Sequence, residues 1–212
     1  MVISREETNI CLSCGECCKR YNITIFPEDV QKISKRMRIS KKKFLEENCQ
    51  LFVKVFPKST SGILTFPTSS FPKSITNLLE REIDFLSKKF FVLPQIVLKR
   101  TNGKCFFLEE NNKCRIYSVR PDPCKLFPFI VVPGFEEQYP FCELFKTTKK
   151  DYSKQSRKYS KKVREYFDLI EKKGFEKVWK NPPKKGLFFL NESMLGEISI
   201  KEINSMTRRK KD

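Results

Sequence analysis

Cys11, Cys14, Cys17 and Cys18 form the block C-x2-C-x2-C-C, and Cys105, Cys114, Cys124 and Cys142 form a second, looser block. Eight of the nine cysteines in this 212-residue chain therefore sit in two segments. Thiolates are soft anionic ligands, and clusters of them at short spacing suit zinc or an iron–sulfur cluster. The chain has no histidine. Every soft ligand must then be cysteine, and Ser-His-Asp or Cys-His catalysis is excluded. Three thiolates at three-residue spacing reach one centre only if a tight loop wraps it, and Gly15 supplies the backbone freedom for that loop. The block starts at residue 11, so the metal loop is expected to open the fold with no domain before it.

Four cysteines in each block suffice for two all-cysteine zinc sites, or for one iron–sulfur cluster with ligands to spare. The continuous C-x2-C-x2-C run resembles a ferredoxin-type loop, with three ligands from one segment and the fourth from afar. An iron–sulfur cluster of the 4Fe-4S type is the first expectation, and zinc the alternative. The side chains of adjacent Cys17 and Cys18 are expected to diverge, so that one of them serves a second centre. Cys105 and Cys114 flank the turn Asn111-Asn112 and are expected to face each other across two short strands. Pro123 and Pro128 stiffen the chain around Cys124. Cys49 stands apart and reads as a buried free thiol. Two plainer readings stand beside these: a metal staple without chemistry, and a disulfide framework of the kind hyperthermophiles tolerate inside the cell.

The elements that must position these thiols read as an α+β fold: a small metal-centred domain with short strands, surrounding helices and a basic helical C-terminal region. Residues 21–26 alternate and are β-rich, which predicts a strand. Pro27-Glu28-Asp29 opens a helix through about Arg38, with Val30, Ile33 and Met37 as its apolar stripe. Ser40 caps a second helix that turns Phe44 and Leu45 inward and ends near Cys49. Residues 50–74 carry three Phe-Pro pairs and read as an irregular or hairpin insertion. A helix over about 75–89 and a strand over 95–100 follow, then the turn Thr101-Asn102-Gly103. The domain boundaries predicted are 1–148, with 50–94 as an insertion, and 149–212 as a helical extension.

Hydrophobic residues make up 39% of the chain, with 20 Phe, enough for a sizeable core without help from a metal. No run approaches the roughly 18 apolar residues of a membrane span. The N-terminus has no basic segment followed by an apolar one, so no signal peptide is expected and the cytoplasm is the expected location. The net charge is +18, yet lysine outnumbers arginine 31 to 12 and alanine is absent. That pattern points to AT-rich coding and lowers the weight of the charge as a functional sign. Residues 151–212 hold 17 Lys/Arg against 9 Asp/Glu. Tyr152, Tyr159 and Tyr166 interleave with these cations as base-stacking residues would, although with lysine abundant throughout the chain a solvated helix face is the better explanation. Tyr159, Val163, Phe167 and Ile170 fall at helical spacing, as a core-facing stripe does.

The segments CLSCGECC, FPEDVQKISKRMRIS and CFFLEENNKCRIYSVRPDPCKLFPF, in this order, resemble the YkgJ-type CxxCxxCC cysteine-cluster family. The resemblance covers about residues 11–48 and 95–145. It implies zinc or iron binding at Cys11, Cys14, Cys17, Cys18, Cys105, Cys114, Cys124 and Cys142. Flagellin lysine N-methylase-like members of the family make methyl transfer a looser implication. Lys125 stands where the family usually has arginine, and residues 50–94 exceed the usual connection.

Arg115 and Arg120 are candidates for anion or substrate contacts, for donors to cluster sulfurs, or for salt bridges that hold the cysteine loop. Tyr117 is a candidate neighbour of the metal or a packing residue. Glu16, Glu28 and Asp29 are candidate carboxylate ligands, with helix-start stabilisation as the simpler role of the last two. The radical-type spacing C-x3-C-x2-C is absent. The function expected is metal binding that supports a redox or group-transfer step on a protein or small molecule. The alternative is a non-enzymatic metallo-module that binds nucleic acid or a partner protein.

Overall fold

Residues 5–57, 65–67, 73, 89–127, 141–144, 153–190 and 193–207 are described by a computed structural model. The elements begin with α1 (Arg5–Cys14), α2 (Glu16–Arg20), β1 (Thr24–Ile25), α3 (Pro27–Met37) and α4 (Lys41–Asn48). Strands β2 (Cys49–Pro57), β3 (Thr65–Pro67), β4 (Lys89–Leu98), β5 (Arg100–Thr101) and β6 (Lys104–Cys105) follow. A 3-10 turn at Tyr117–Val119 leads to α5 (Asp122–Leu126), the long α6 (Ser153–Lys173) and α7 (Phe175–Trp179). Strands β7 (Lys185–Leu190) and β8 (Ser193–Ser199) and helix α8 (Ile200–Thr207) complete the set. The class is α+β, as the sequence predicts.

The chain forms two compact units: Met1–Phe44 with Val97–Lys161, and Leu45–Ile96 with Lys162–Asp212. In the first unit, α3 starts and stops where its sequence dictates. The Asp29 carboxylate accepts the Phe26 N–H at 3.0 Å, satisfying an amide at the helix start. Arg38 closes the helix in a left-handed conformation (φ 57°), and its N–H bonds back to the Lys35 carbonyl. Val30 and Ile33 are buried. Ser40 Oγ accepts the Lys43 N–H at 3.1 Å, the predicted cap of α4. The Phe44 and Phe107 rings stack with centroids 6.3 Å apart, joining the N-terminal helices to the segment after β6. At the end of β4, the Leu98 N–H donates to the Ile23 carbonyl. Strands β5 and β6 form a hairpin through Asn102 (φ 51°) and Gly103 (φ 74°), a two-residue turn with both residues left-handed.

The second unit is a sheet in the order β4-β2-β7-β8, with β3 on β4. Strands β2 and β7 pair in parallel, Leu51 with Gly186 through Val55 with Leu190. A parallel pair needs a long crossover, which is why two segments so far apart in sequence share one unit. At Gly186 a Cβ would sit 2.5 Å from the Leu51 carbonyl oxygen, so only glycine lets these strands meet at that point. Phe167 and Ile170 of α6 are buried, as are Phe175 and Trp179 of α7. The Trp179 indole N–H donates to the Tyr166 hydroxyl at 2.7 Å.

Two sequence expectations differ from these elements. Residues 185–190 and 193–199, read as part of a helical extension, form the antiparallel pair β7–β8 instead. Gly186, Phe188 and Leu190 alternate inward, a period of two that marks a strand. The first cysteine block, read as a loop, lies on two short helices joined at Gly15. The helix predicted over 75–89, the Phe71-Pro72 pair, Tyr152 and the tail 208–212 lie outside the described residues, apart from Lys89, which starts β4.

Candidate metal centre

Gly15 turns α1 into α2 with φ 66° and ψ 2°, a left-handed conformation that any Cβ makes costly. A Cβ there would also lie 3.0 Å from Leu108 Cδ1 and 3.3 Å from Asn112 Oδ1. The bend that presents the first block is thus packed directly on the segment between Cys105 and Cys114. Helix α2 lies against β6. Arg100 fastens the same junction: its guanidinium donates to the carbonyls of Cys18 (3.4 Å), Tyr21 (2.8 Å) and Lys19 (2.5 Å) and to that of Gly103. A cation at the C-terminal carbonyls of a helix satisfies acceptors that have no partner within it.

These contacts enclose a cavity of about 70 Å³. Cys11, Cys14, Cys17 and Cys18 line it, and so do Cys105, Cys114, Cys124 and Cys142. All eight cysteines singled out by spacing share this wall. Cys49 does not; it is buried in β2 of the second unit. Phe127 and Phe141 add an aromatic edge, stacked with centroids 6.3 Å apart, and the Arg20 guanidinium lies 4.6 Å above Phe141. None of the nine cysteines is joined in a disulfide.

Burial sets the charge state of these thiols. It pushes Cys11 up to about 11, and it raises Cys105, Cys114 and Cys124, the last well above the usual thiol value. Cys17 and Cys18 behave as a pair. The interaction between the two side chains lowers Cys17 and raises Cys18. Cys105 and Cys114 do not face each other on paired strands as expected: Cys105 is opposite Arg100, and Cys114 is opposite Leu108.

Among the described residues, no three Cys, Asp or Glu side chains are gathered tightly enough to hold an ion as they stand. The thiols line the wall, and ligation requires them to turn inward from it. The donor set nonetheless fits a thiophilic metal. A coordinating thiol loses its proton outright, which reverses the neutral state that burial imposes. The Tyr117 hydroxyl, buried in the same wall, has no hydrogen-bond partner. A water needs roughly 10–15 Å³ by the same measure, so the cavity has room for more than one small ion.

The remaining candidates separate by what they touch. Arg120 and Tyr117 line the cavity, with the guanidinium 3.9 Å from the ring centroid. Arg115 lies outside it, over Phe106 at 4.8 Å, and donates to the Phe106 carbonyl. Lys125 pairs with Asp122 at 3.5 Å. Glu16 lines the cavity but is held below its ordinary value by Lys19 and Arg20. Tyr166 is 6% exposed and bonded to Trp179, so it cannot stack on a base. Arg100 was missed by sequence reasoning. Three of its four partners are backbone carbonyls about 80 residues away, which no pattern of side chains discloses.

The CxxCxxCC family, described as a putative zinc- or iron-chelating domain, matches residues 10–156. The chain belongs to this family. The matched segment contains all eight cavity cysteines. No solved structure matches the chain. Among the described residues, no helix is long and apolar enough to cross a membrane.

Proposed function

We propose that the thiol-lined cavity of the first unit holds an iron–sulfur cluster through cysteines of both blocks. The centre would support a redox or group-transfer step on a protein or small molecule. What carries the reading is the sharing of the eight thiols: two blocks 87 residues apart, from Cys18 to Cys105, line one cavity, and the ninth cysteine takes no part. Two further points support it. The cavity exceeds the space of a single ion, and the all-sulfur wall suits a cluster built on thiolates. A bound cluster would supply electron transfer. The chain would supply thiolate ligation, an aromatic edge at Phe127 and Phe141, and a rigid junction at Gly15 and Arg100.

Zinc is the second reading, favoured by one observation: eight thiols make two complete sets of four. Anaerobic purification separates the two. The cluster reading expects brown protein containing iron and acid-labile sulfide. Colourless protein with stoichiometric zinc from the same preparation would replace it with the zinc reading. Protein that takes up neither metal would remove both.

A further inference from the structure

Among the described residues, Arg120 is a buried cation without a carboxylate partner. It is 7% exposed and lines the thiol cavity. The Tyr117 ring centroid lies 3.9 Å from its guanidinium carbon. The Tyr117 hydroxyl, three residues away in the same wall, is buried without a hydrogen-bond partner. A buried cation without a carboxylate and a buried hydroxyl without a partner are a costly arrangement in one wall, and such groups persist where a ligand completes them.

Eight sulfurs, drawn from both blocks, line the same wall as Arg120 and Tyr117. Four thiolates around a divalent ion leave a net negative charge, which must be offset once it is buried. We propose that Arg120 and Tyr117 are the charge-compensating wall of the metal centre, donating N–H and O–H bonds to its thiolate or sulfide sulfurs. The proposal rests on the reading that the cavity holds a metal, and it holds for either metal. It assigns Arg120 a role that a salt bridge within the cysteine loop would not explain.

The test compares wild type, Arg120→Gln, Arg120→Lys and Tyr117→Phe as full-length proteins. Metal content and the rate of metal release to a chelator are measured, together with thermal melting of the metal-free forms. Loss of such an outer contact costs about 10–100-fold in metal affinity. Arg120→Gln should release metal at least about tenfold faster, Arg120→Lys should recover part of that loss, and Tyr117→Phe should show a smaller effect. Metal-free Arg120→Gln should melt no lower than metal-free wild type, because the substitution removes an uncompensated buried charge. Two results would overturn the proposal: release rates unchanged in Arg120→Gln, or metal-free Arg120→Gln melting lower by as much as the loaded form. Wild type without metal would instead overturn the reading on which it rests.

Discussion

Replacing Gly15 with alanine should damage the metal centre through the fold, and Gly103 provides the internal control. Both glycines have a left-handed backbone, φ 66° and φ 74°. An L-residue there costs about 1–2 kcal/mol, of which about 0.4–1 kcal/mol is returned because alanine restricts the unfolded chain. That part is shared. The surroundings differ: a Cβ at Gly103 has no atom within 4 Å, whereas at Gly15 it meets Leu108 and Asn112 at 3.0 and 3.3 Å. Overpacking costs about 1–3 kcal/mol, and both neighbours are side-chain atoms that can give way, so the low end applies. Gly15→Ala should therefore lose roughly 2 kcal/mol and Gly103→Ala roughly 1 kcal/mol, a difference set by one contact. Urea unfolding of the metal-free proteins measures this directly. Metal content provides the second reading: Gly15→Ala should lower it, because the bend presents Cys14 and Cys17, while Gly103→Ala should leave it near wild type. Equal destabilisation of the two variants, or a parallel loss of metal, would refute the argument.

Serine in place of Cys14, Cys17, Cys114 or Cys124 should remove most of the bound metal, and Cys49→Ser should leave it intact; elemental analysis of the five variants decides. Arg100→Gln should cost about 2 kcal/mol, since hydrogen bonds from a charged donor contribute about 1.5–3 kcal/mol but overlap when they share one side chain. Its metal release should also accelerate, and wild-type stability in that variant would show the carbonyl contacts to be incidental. Chelator treatment should remove the metal without unfolding the chain, with helical circular dichroism retained; collapse of the helical signal would show that the metal organises the fold.

The cysteine site was legible because ligand spacing is a local property. A thiol has few roles, and eight of them in two blocks, with no histidine, restrict the chemistry before any fold is known. Helix α3 was legible for a similar reason, since Pro27 and Asp29 mark its start and Val30 and Ile33 its buried face. What escaped depends on distant partners or on competing periods. Leu187-Phe188-Phe189-Leu190 lies in a lysine-rich region and was absorbed into a helical reading, although only every second residue points inward. Its parallel partner, Val53 with Phe188, is 135 residues away, a pairing that no local pattern encodes. Arg115 and Arg120 are equivalent by sequence. Burial alone separates them, one lying over Phe106 at the surface and the other in the thiol wall.

The first unit also explains why such a site can keep its thiols in place before a metal arrives. Small all-cysteine zinc domains draw their folding energy from the ion. Here Ile25, Ile33, Phe44 and Phe107 are fully or almost fully buried, so an apolar core holds the helices and the hairpin together without one. Gly15 and Arg100 then fix the first block on the second through backbone geometry and carbonyl contacts, neither of which involves sulfur. Burial raises Cys11, Cys105, Cys114 and Cys124, and the charge of Arg120, or at Cys105 that of Arg100, opposes it. A centre prepared in this way takes up metal with proton release and little rearrangement of the backbone. A scaffold that an apolar core builds without the metal suits a working centre better than a structural staple.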